Sequence, residues 1–110
     1  MAQEKQFENK VKNFLKDQGA YFVKFFANNY TKKGVPDILA CVGGYFVGIE
    51  VKAQNGHPSE LQIYNIEQIR KAGGFAFVLY PSGYDEFKEF IENLKLGYFP
   101  DTRELKIIFK

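Results

Sequence analysis

The stretch Gly34-Val35-Pro36-Asp37-Ile38-Leu39-Ala40-Cys41-Val42-Gly43-Gly44-Tyr45-Phe46-Val47-Gly48-Ile49-Glu50-Val51-Lys52 decides the fold. Two runs rich in β-branched and aromatic residues, Asp37 to Val42 and Tyr45 to Lys52, flank a Gly-Gly dipeptide, the signal of a two-residue β-hairpin. With those glycines as the turn, Val42 faces Tyr45, and counting outward along both strands sets Asp37 opposite Glu50. Directly opposed residues have Cβ atoms about 4.5 to 5.5 Å apart. Register alone therefore brings two carboxylates together, and Lys52, two residues beyond Glu50, projects from the same face. A turn that recruited Val42, or a bulge, would shift Asp37 by one residue against Glu50.

Two facing carboxylates on an apolar hairpin repel each other and are costly to desolvate unless a positive group lies between them. A divalent cation meets that need. Carboxylate oxygens suit Mg²⁺, which takes one or two protein carboxylates and fills its other positions with water and phosphate oxygens. The substrate expected from this pattern is a phosphate ester.

The 110 residues suffice for one domain, residues 1–110, and 45% hydrophobic with 17% aromatic content can fill its core. Cys41 is the single cysteine, so no disulfide forms within the chain, and its place in a strand pattern reads as a small buried apolar residue. A reducing, cytoplasmic setting fits. No apolar run approaches the roughly 20 residues of a membrane span, and the polar start Met1 to Gln6 lacks the apolar segment of a signal peptide. The net charge of +2 is a weak argument for a nucleic-acid partner. Setting aside Glu8, Asp37 and Glu50 as neutralised by an ion removes three negative charges, leaving +5, with Lys24, Lys32 and Lys33 just upstream of the hairpin.

Outward from the hairpin, no repeat or low-complexity tract interrupts the chain. Residues from about Glu4 to Gln18 carry Phe7, Val11, Phe14 and Leu15 at helical spacing, with Gly19 as the stop and Glu8 at the border of the apolar stripe. Ala20 to Phe26 reads as an apolar strand interrupted by Lys24, and Asn28 to Gly34 as a polar loop. After the hairpin, Ser59 reads as the N-cap of a helix to about Ala72, ended by Gly73-Gly74. Phe75 to Tyr80 has the continuous apolar run of a strand buried on both faces. A strand, a helix and a further strand in series make a crossover, so this strand should run parallel to the one carrying Glu50. A last amphipathic helix spans about Tyr84 to Lys95, with Phe87, Phe90, Ile91 and Leu94 inward, and an edge strand is expected near Leu105 to Phe109. The order αβββαβα defines an α/β fold with a mixed central sheet. Both faces of the hairpin are apolar, Ile38, Ala40, Val47, Ile49 and Val51 on one and Leu39, Cys41 and Phe46 on the other, which calls for cover on both sides.

The pattern Pro36-Asp37 followed by Glu50-x-Lys52, after a helix with Glu8 and before a helix opening with Gln62, resembles the PD-(D/E)XK nuclease superfamily. Within it, Gly34-Val35-Pro36-Asp37, Ile49-Glu50-Val51-Lys52 and Ser59-Glu60-Leu61-Gln62 resemble the VRR-NUC family, especially its short stand-alone phage and bacterial members, over roughly residues 4 to 80. The resemblance implies a restriction-endonuclease-like αβββαβ core with a C-terminal helix. It also implies that Asp37 and Glu50 hold Mg²⁺ (Mn²⁺ being the alternative), with a backbone carbonyl near Val51 completing the protein's share. Lys52 would orient or deprotonate the attacking water or stabilise charge on the phosphate, Glu8 would contribute from the first helix, and Gln62 would support the lysine. The stand-alone members are similar to Holliday-junction resolvases, which implies branched DNA as partner, cleavage in a bacterial or phage-infected cell, and a homodimer, since a four-way junction needs two symmetric incisions. The aromatic C-terminal stretch, Tyr98, Phe99 and Ile107 to Phe109, is the expected dimer contact. Flap, duplex or single-stranded DNA are alternative substrates, and a non-catalytic DNA-binding module is the alternative class.

Each residue also has a plainer reading. Asp37 after Pro36 suits a turn, and Glu50 with Lys52 suits a salt bridge on an exposed strand, although this strand lacks an alternating polar face. Glu4 competes with Glu8 for the same place, and Ser59-x-x-Gln62 is a capping box that explains Gln62 without chemistry. Lys24 is either a snorkelling side chain or a phosphate contact. Tyr30, Thr31, Lys32 and Lys33 suit a DNA backbone or plain solvation. His57, beside Pro58, reads as incidental to the chemistry.

Overall fold

The computed structural model describes residues 2–98 and 105–110. Helix α1 (Ala2–Asp17) leads into strands β1 (Tyr21–Lys24), β2 (Ile38–Val42) and β3 (Tyr45–Val51). Helix α2 (Glu60–Lys71), strand β4 (Phe75–Leu79), a 3-10 turn at Pro81–Gly83, helix α3 (Tyr84–Lys95) and strand β5 (Ile108–Phe109) follow. The five strands lie side by side in chain order. β1, β2 and β3 are antiparallel neighbours, and β3, β4 and β5 are parallel ones, as the α2 crossover requires.

The hairpin has the expected register, from Val42 opposite Tyr45 to Ile38 opposite Ile49. Gly43 and Gly44 both have positive φ, 58° and 89°, the backbone of a turn whose twist matches the flanking strands. Asp37 lies one residue beyond the ladder, at the mouth of the hairpin. β1 is shorter than its apolar run. Its ladder ends at Lys24 opposite Ile38, followed by one bond from the Phe25 N–H to the Asp37 carbonyl (2.8 Å), and Pro36 has no N–H with which to continue.

The main core fills one side of the sheet. Phe7, Val11 and Leu15 of α1 and Phe87, Phe90, Ile91 and Leu94 of α3 pack on Ile38, Ala40, Val47, Ile49, Val51, Phe75 and Phe77. Edge-on aromatic contacts knit it, such as Phe77 against Phe87 and Phe90 at 6.0 and 5.6 Å between ring centres. On the other side Ile63, Ile66 and Ile69 of α2 cover Ala76 and Val78. That helix stops at β3: a Cβ on Gly48 would stand 3.1 Å from the Ile69 side chain and 3.2 Å from that of Pro36.

Two expectations are corrected here. Cover on both sides of the hairpin does not hold, because α2 lies over β3 and β4 and leaves the same face of β1 and β2 bare. Cys41 is therefore exposed, in a row with Tyr21 (73% exposed) and Phe46 (45%) that the strand register sets side by side. Within the C-terminal stretch expected as a dimer contact, Phe109 is buried against Phe77 and Ile107 packs beneath α2, while Ile108 is 40% exposed. Tyr98 is exposed, and Phe99 lies outside the described residues.

Candidate active site

The site forms at the end of the sheet where β2 begins and β3 ends. Glu50 is only 2% exposed, near the end of β3 and on the α2 side, with Lys52 just past it. The Lys52 ammonium lies 3.6 Å from Glu50 Oε2, so the two share a face as the strand period requires. Asp37 reaches across the hairpin mouth, and its Oδ2 accepts the Val51 N–H at 3.0 Å. The Gln62 Nε2 donates to Glu50 Oε2 at 3.0 Å, while its Oε1 accepts the Ser59 N–H at 2.8 Å. The capping box reading of Gln62 holds, and the box fixes the amide by its oxygen, which turns the NH₂ toward Glu50 and not toward Lys52.

From the other side of the sheet, α1 contributes Glu8, buried, and β1 contributes Lys24. The Lys24 ammonium donates to Glu8 Oε1 at 2.7 Å and to Asp37 Oδ1 at 3.4 Å. Lys12, one turn along α1, lies 3.3 Å from Glu8 Oε2. Glu8 and not Glu4 is therefore the helix acid that turns to the site. Lys24 is the residue that sequence reading placed least well, because no local spacing ties β1 to a helix that ends before it.

Electrostatics separate the acids. Burial, then the charge of Asp37 and a hydrogen bond with it, push the Glu50 carboxyl up from 4.5 to about 8 against the opposing pull of Lys52. Burial also works against the Glu8 carboxylate, yet hydrogen bonds and charge from Lys24 and Lys12 hold it below its ordinary value. Glu50 Oε1 is buried without a hydrogen-bond partner. A buried acceptor with no donor is expensive, and a cation would satisfy it. Among the described residues no group of three or more His, Cys, Asp and Glu is set to hold a metal. The side chains of Asp37 and Glu50 offer two carboxylates, a donor set that would fit Mg²⁺ if water and substrate completed it.

The other candidates fall outside this cluster. Tyr30 is 97% exposed and Lys32 and Lys33 are exposed, in a loop closed by Asn28, whose Oδ1 accepts the Tyr30 N–H at 2.7 Å. Asn65, which sequence reading missed, is buried on α2 and pins that loop by donating to the Lys33 carbonyl at 3.1 Å. Gly34 makes the close approach possible, since a Cβ there would stand 2.7 Å from the Asn65 amide. His57 is exposed in the loop after Lys52.

A mixed sheet with an N-terminal helix acid, an aspartate and a glutamate at adjoining strand ends, and a lysine two residues on defines a PD-(D/E)XK-type nuclease. Residues 2–89 match the family model of the archaeal Holliday junction resolvase (Hjc), and the chain belongs to that family. It is a nuclease of the resolvase type, from a family whose members act on branched DNA. No curated protein matches the chain. Among the described residues no helix is long and apolar enough to cross a membrane.

Proposed function

We propose that the chain is a Mg²⁺-dependent, structure-selective endodeoxyribonuclease that hydrolyses phosphodiester bonds in four-way DNA junctions, with Mn²⁺ as a working substitute. The observation that carries this reading is the buried, partnerless Oε1 of Glu50 beside Asp37. A cation held by Asp37, Glu50 and the Val51 carbonyl would satisfy that oxygen, make water acidic enough to attack near neutral pH, and neutralise phosphate charge. Lys52 then holds the attacking water or a phosphate oxygen with its ammonium. Gln62 keeps the Glu50 carboxylate in one orientation through the N-cap of α2. Tyr30, Lys32 and Lys33 contact the DNA backbone, which positions the duplex without reading its sequence. The spelling Gly34-Val35-Pro36-Asp37 and Ile49-Glu50-Val51-Lys52 resembles that of the VRR-NUC nucleases, which supports the same chemistry.

Two symmetric incisions require two sites, hence a homodimer. The uncharged row Tyr21, Cys41 and Phe46 suits a protein surface better than a phosphate backbone, and it is the contact favoured here. Phe46→Lys should convert the dimer to a monomer in sedimentation runs and abolish paired cutting.

The test of the function is a cleavage assay on labelled four-way junctions, flaps and plain duplexes with Mg²⁺, run beside Lys52→Ala. Junctions should be nicked symmetrically, the other substrates spared, and the variant inactive. Equal cutting of all three substrates would sink structure selectivity; cutting that survives both a chelator and Lys52→Ala would sink the site.

A further inference from the structure

The Lys24 ammonium occupies Asp37 in a way that bears on how the site is loaded. Asp37 has one oxygen committed to the Val51 N–H (3.0 Å) and the other facing Lys24 (3.4 Å). A divalent cation would have to approach to about 2.1 Å of that second oxygen. Two positive groups would then crowd one oxygen, and Lys24 must give way. Its two contacts are unequal: 2.7 Å to Glu8 and 3.4 Å to Asp37. Glu8 is the anchor and Asp37 the contact that yields. Lys24 also stands at an open edge, near the end of β1 with its side chain 22% exposed, so a substrate phosphate can reach it.

We propose that Lys24, tethered by Glu8, serves as the counter-ion of Asp37 in the free protein and moves to a substrate phosphate when DNA arrives, so that DNA and the divalent cation bind cooperatively. Lys24 is a positioning residue in this scheme. Glu8 acts through it, with no bond to the metal. The inference rests on Asp37 being a metal ligand, as proposed above. Coupling of this kind is reciprocal: whatever DNA does for the metal, the metal does for DNA. The arrangement would keep the nuclease poorly loaded until a substrate is in place.

The test reads metal binding directly, by the electron paramagnetic resonance of free Mn²⁺, in a Lys52→Ala background so that DNA stays intact. Without DNA, Lys24→Met should bind Mn²⁺ about tenfold more tightly, the scale of removing one like charge near a partly exposed site. Adding four-way junction DNA should tighten Mn²⁺ binding when Lys24 is present and change it little in Lys24→Met, with Lys24→Arg keeping the coupling. Glu8→Gln should weaken Mn²⁺ binding when Lys24 is present and be silent in the Lys24→Met background. Unchanged or weaker Mn²⁺ binding by a folded Lys24→Met protein overturns the inference, as does a Glu8→Gln effect that persists without Lys24. Failure of every variant, and of the parent, to bind Mn²⁺ overturns the metal-site reading and this inference with it.

Discussion

Asp37 and Glu50 are the same functional group on the two strands at the mouth of one hairpin, yet their surroundings solve opposite problems. Asp37 sits at the half-open end among positive neighbours, with Lys24 on one oxygen and a backbone N–H on the other. Glu50 is sealed beneath α2, shares Lys52 and Gln62 on one oxygen, and has nothing on the other. Asp37 is paired with a cation and a backbone N–H, whereas burial holds the Glu50 carboxyl well above the usual carboxylate range. The difference teaches that the proposed metal site would be built from an electrostatic half, supplied with Lys24 and Glu8 by β1 and α1, and a buried half, supplied by β3 and α2.

The largest effect should come from removing either half outright. Asp37→Asn and Glu50→Gln should each lower junction cleavage by about a thousandfold, the scale of losing a group that stabilises transition-state charge. Near-parental activity in either variant would mean that no metal sits between them. The halves should then part company in stability. Glu50→Gln keeps the buried shape and removes a buried acid, so the metal-free variant should melt no lower than the parent at pH 8.5.

The pH dependence of that stability sharpens the contrast. The Glu50 carboxyl titrates near 8 when folded, against 4.5 when unfolded. Between those values the folded state holds a proton that the unfolded chain has shed, so stability is full at low pH and is lost as pH rises through 8. The lowered Glu8 carboxylate works the other way: its contribution is present above its unfolded value of 4.5 and is lost as pH falls through its folded value. Melting temperatures of the metal-free protein should therefore fall from pH 5.5 to 8.5, and Glu50→Gln should flatten that slope while Glu8→Gln removes the acid-side loss. Saturating Mg²⁺ should also flatten the alkaline slope, because the cation replaces the proton.

Smaller effects should follow from the supports of each half. Gln62→Ala leaves Glu50 without its donor and should weaken metal binding or cleavage by roughly tenfold, the lower range for groups that orient a metal ligand. Ser59→Ala removes the cap that orients Gln62, and should lower stability by about 1 kcal/mol. Its effect on cleavage should be smaller than that of Gln62→Ala; a larger one would show that the cap matters more than the amide. Lys12→Ala, on the Asp37 side, should cost less than about 1 kcal/mol because its pair with Glu8 lies within one helix near solvent.

The placement of the buried half was legible in the sequence, except that Gln62 donates to Glu50 and not to Lys52. Gly43-Gly44 sets the register, the strand period aligns Glu50 with Lys52, and Ser59 to Gln62 is a cap whose amide has one free end. Each is a local relation, spanning one turn, one pleat or one helical turn. The electrostatic half was legible only as candidates. Glu8 and Lys24 are sixteen residues apart, on elements whose meeting depends on how α1 docks against the sheet. In the sequence Lys24 reads as a snorkelling side chain or a phosphate contact, with no sign of Glu8 or Asp37 as its partners.

Two further features needed the tertiary structure for the same reason. Cys41 looks buried in a strand pattern and is exposed, because alternation reports which face a residue joins and is silent on whether a helix covers that face. Asn65 looks like one polar residue among many on α2, and becomes the pin of the Asn28 to Gly34 loop only when Gly34 comes against the helix. What the sequence by itself determined is the strand and helix order, the hairpin register and the acid, acid and lysine at its mouth, all consequences of short-range geometry. What only the tertiary structure decided is how far α2 reaches across the sheet and which cation stands beside Asp37, since both depend on the packing of elements that are distant along the chain.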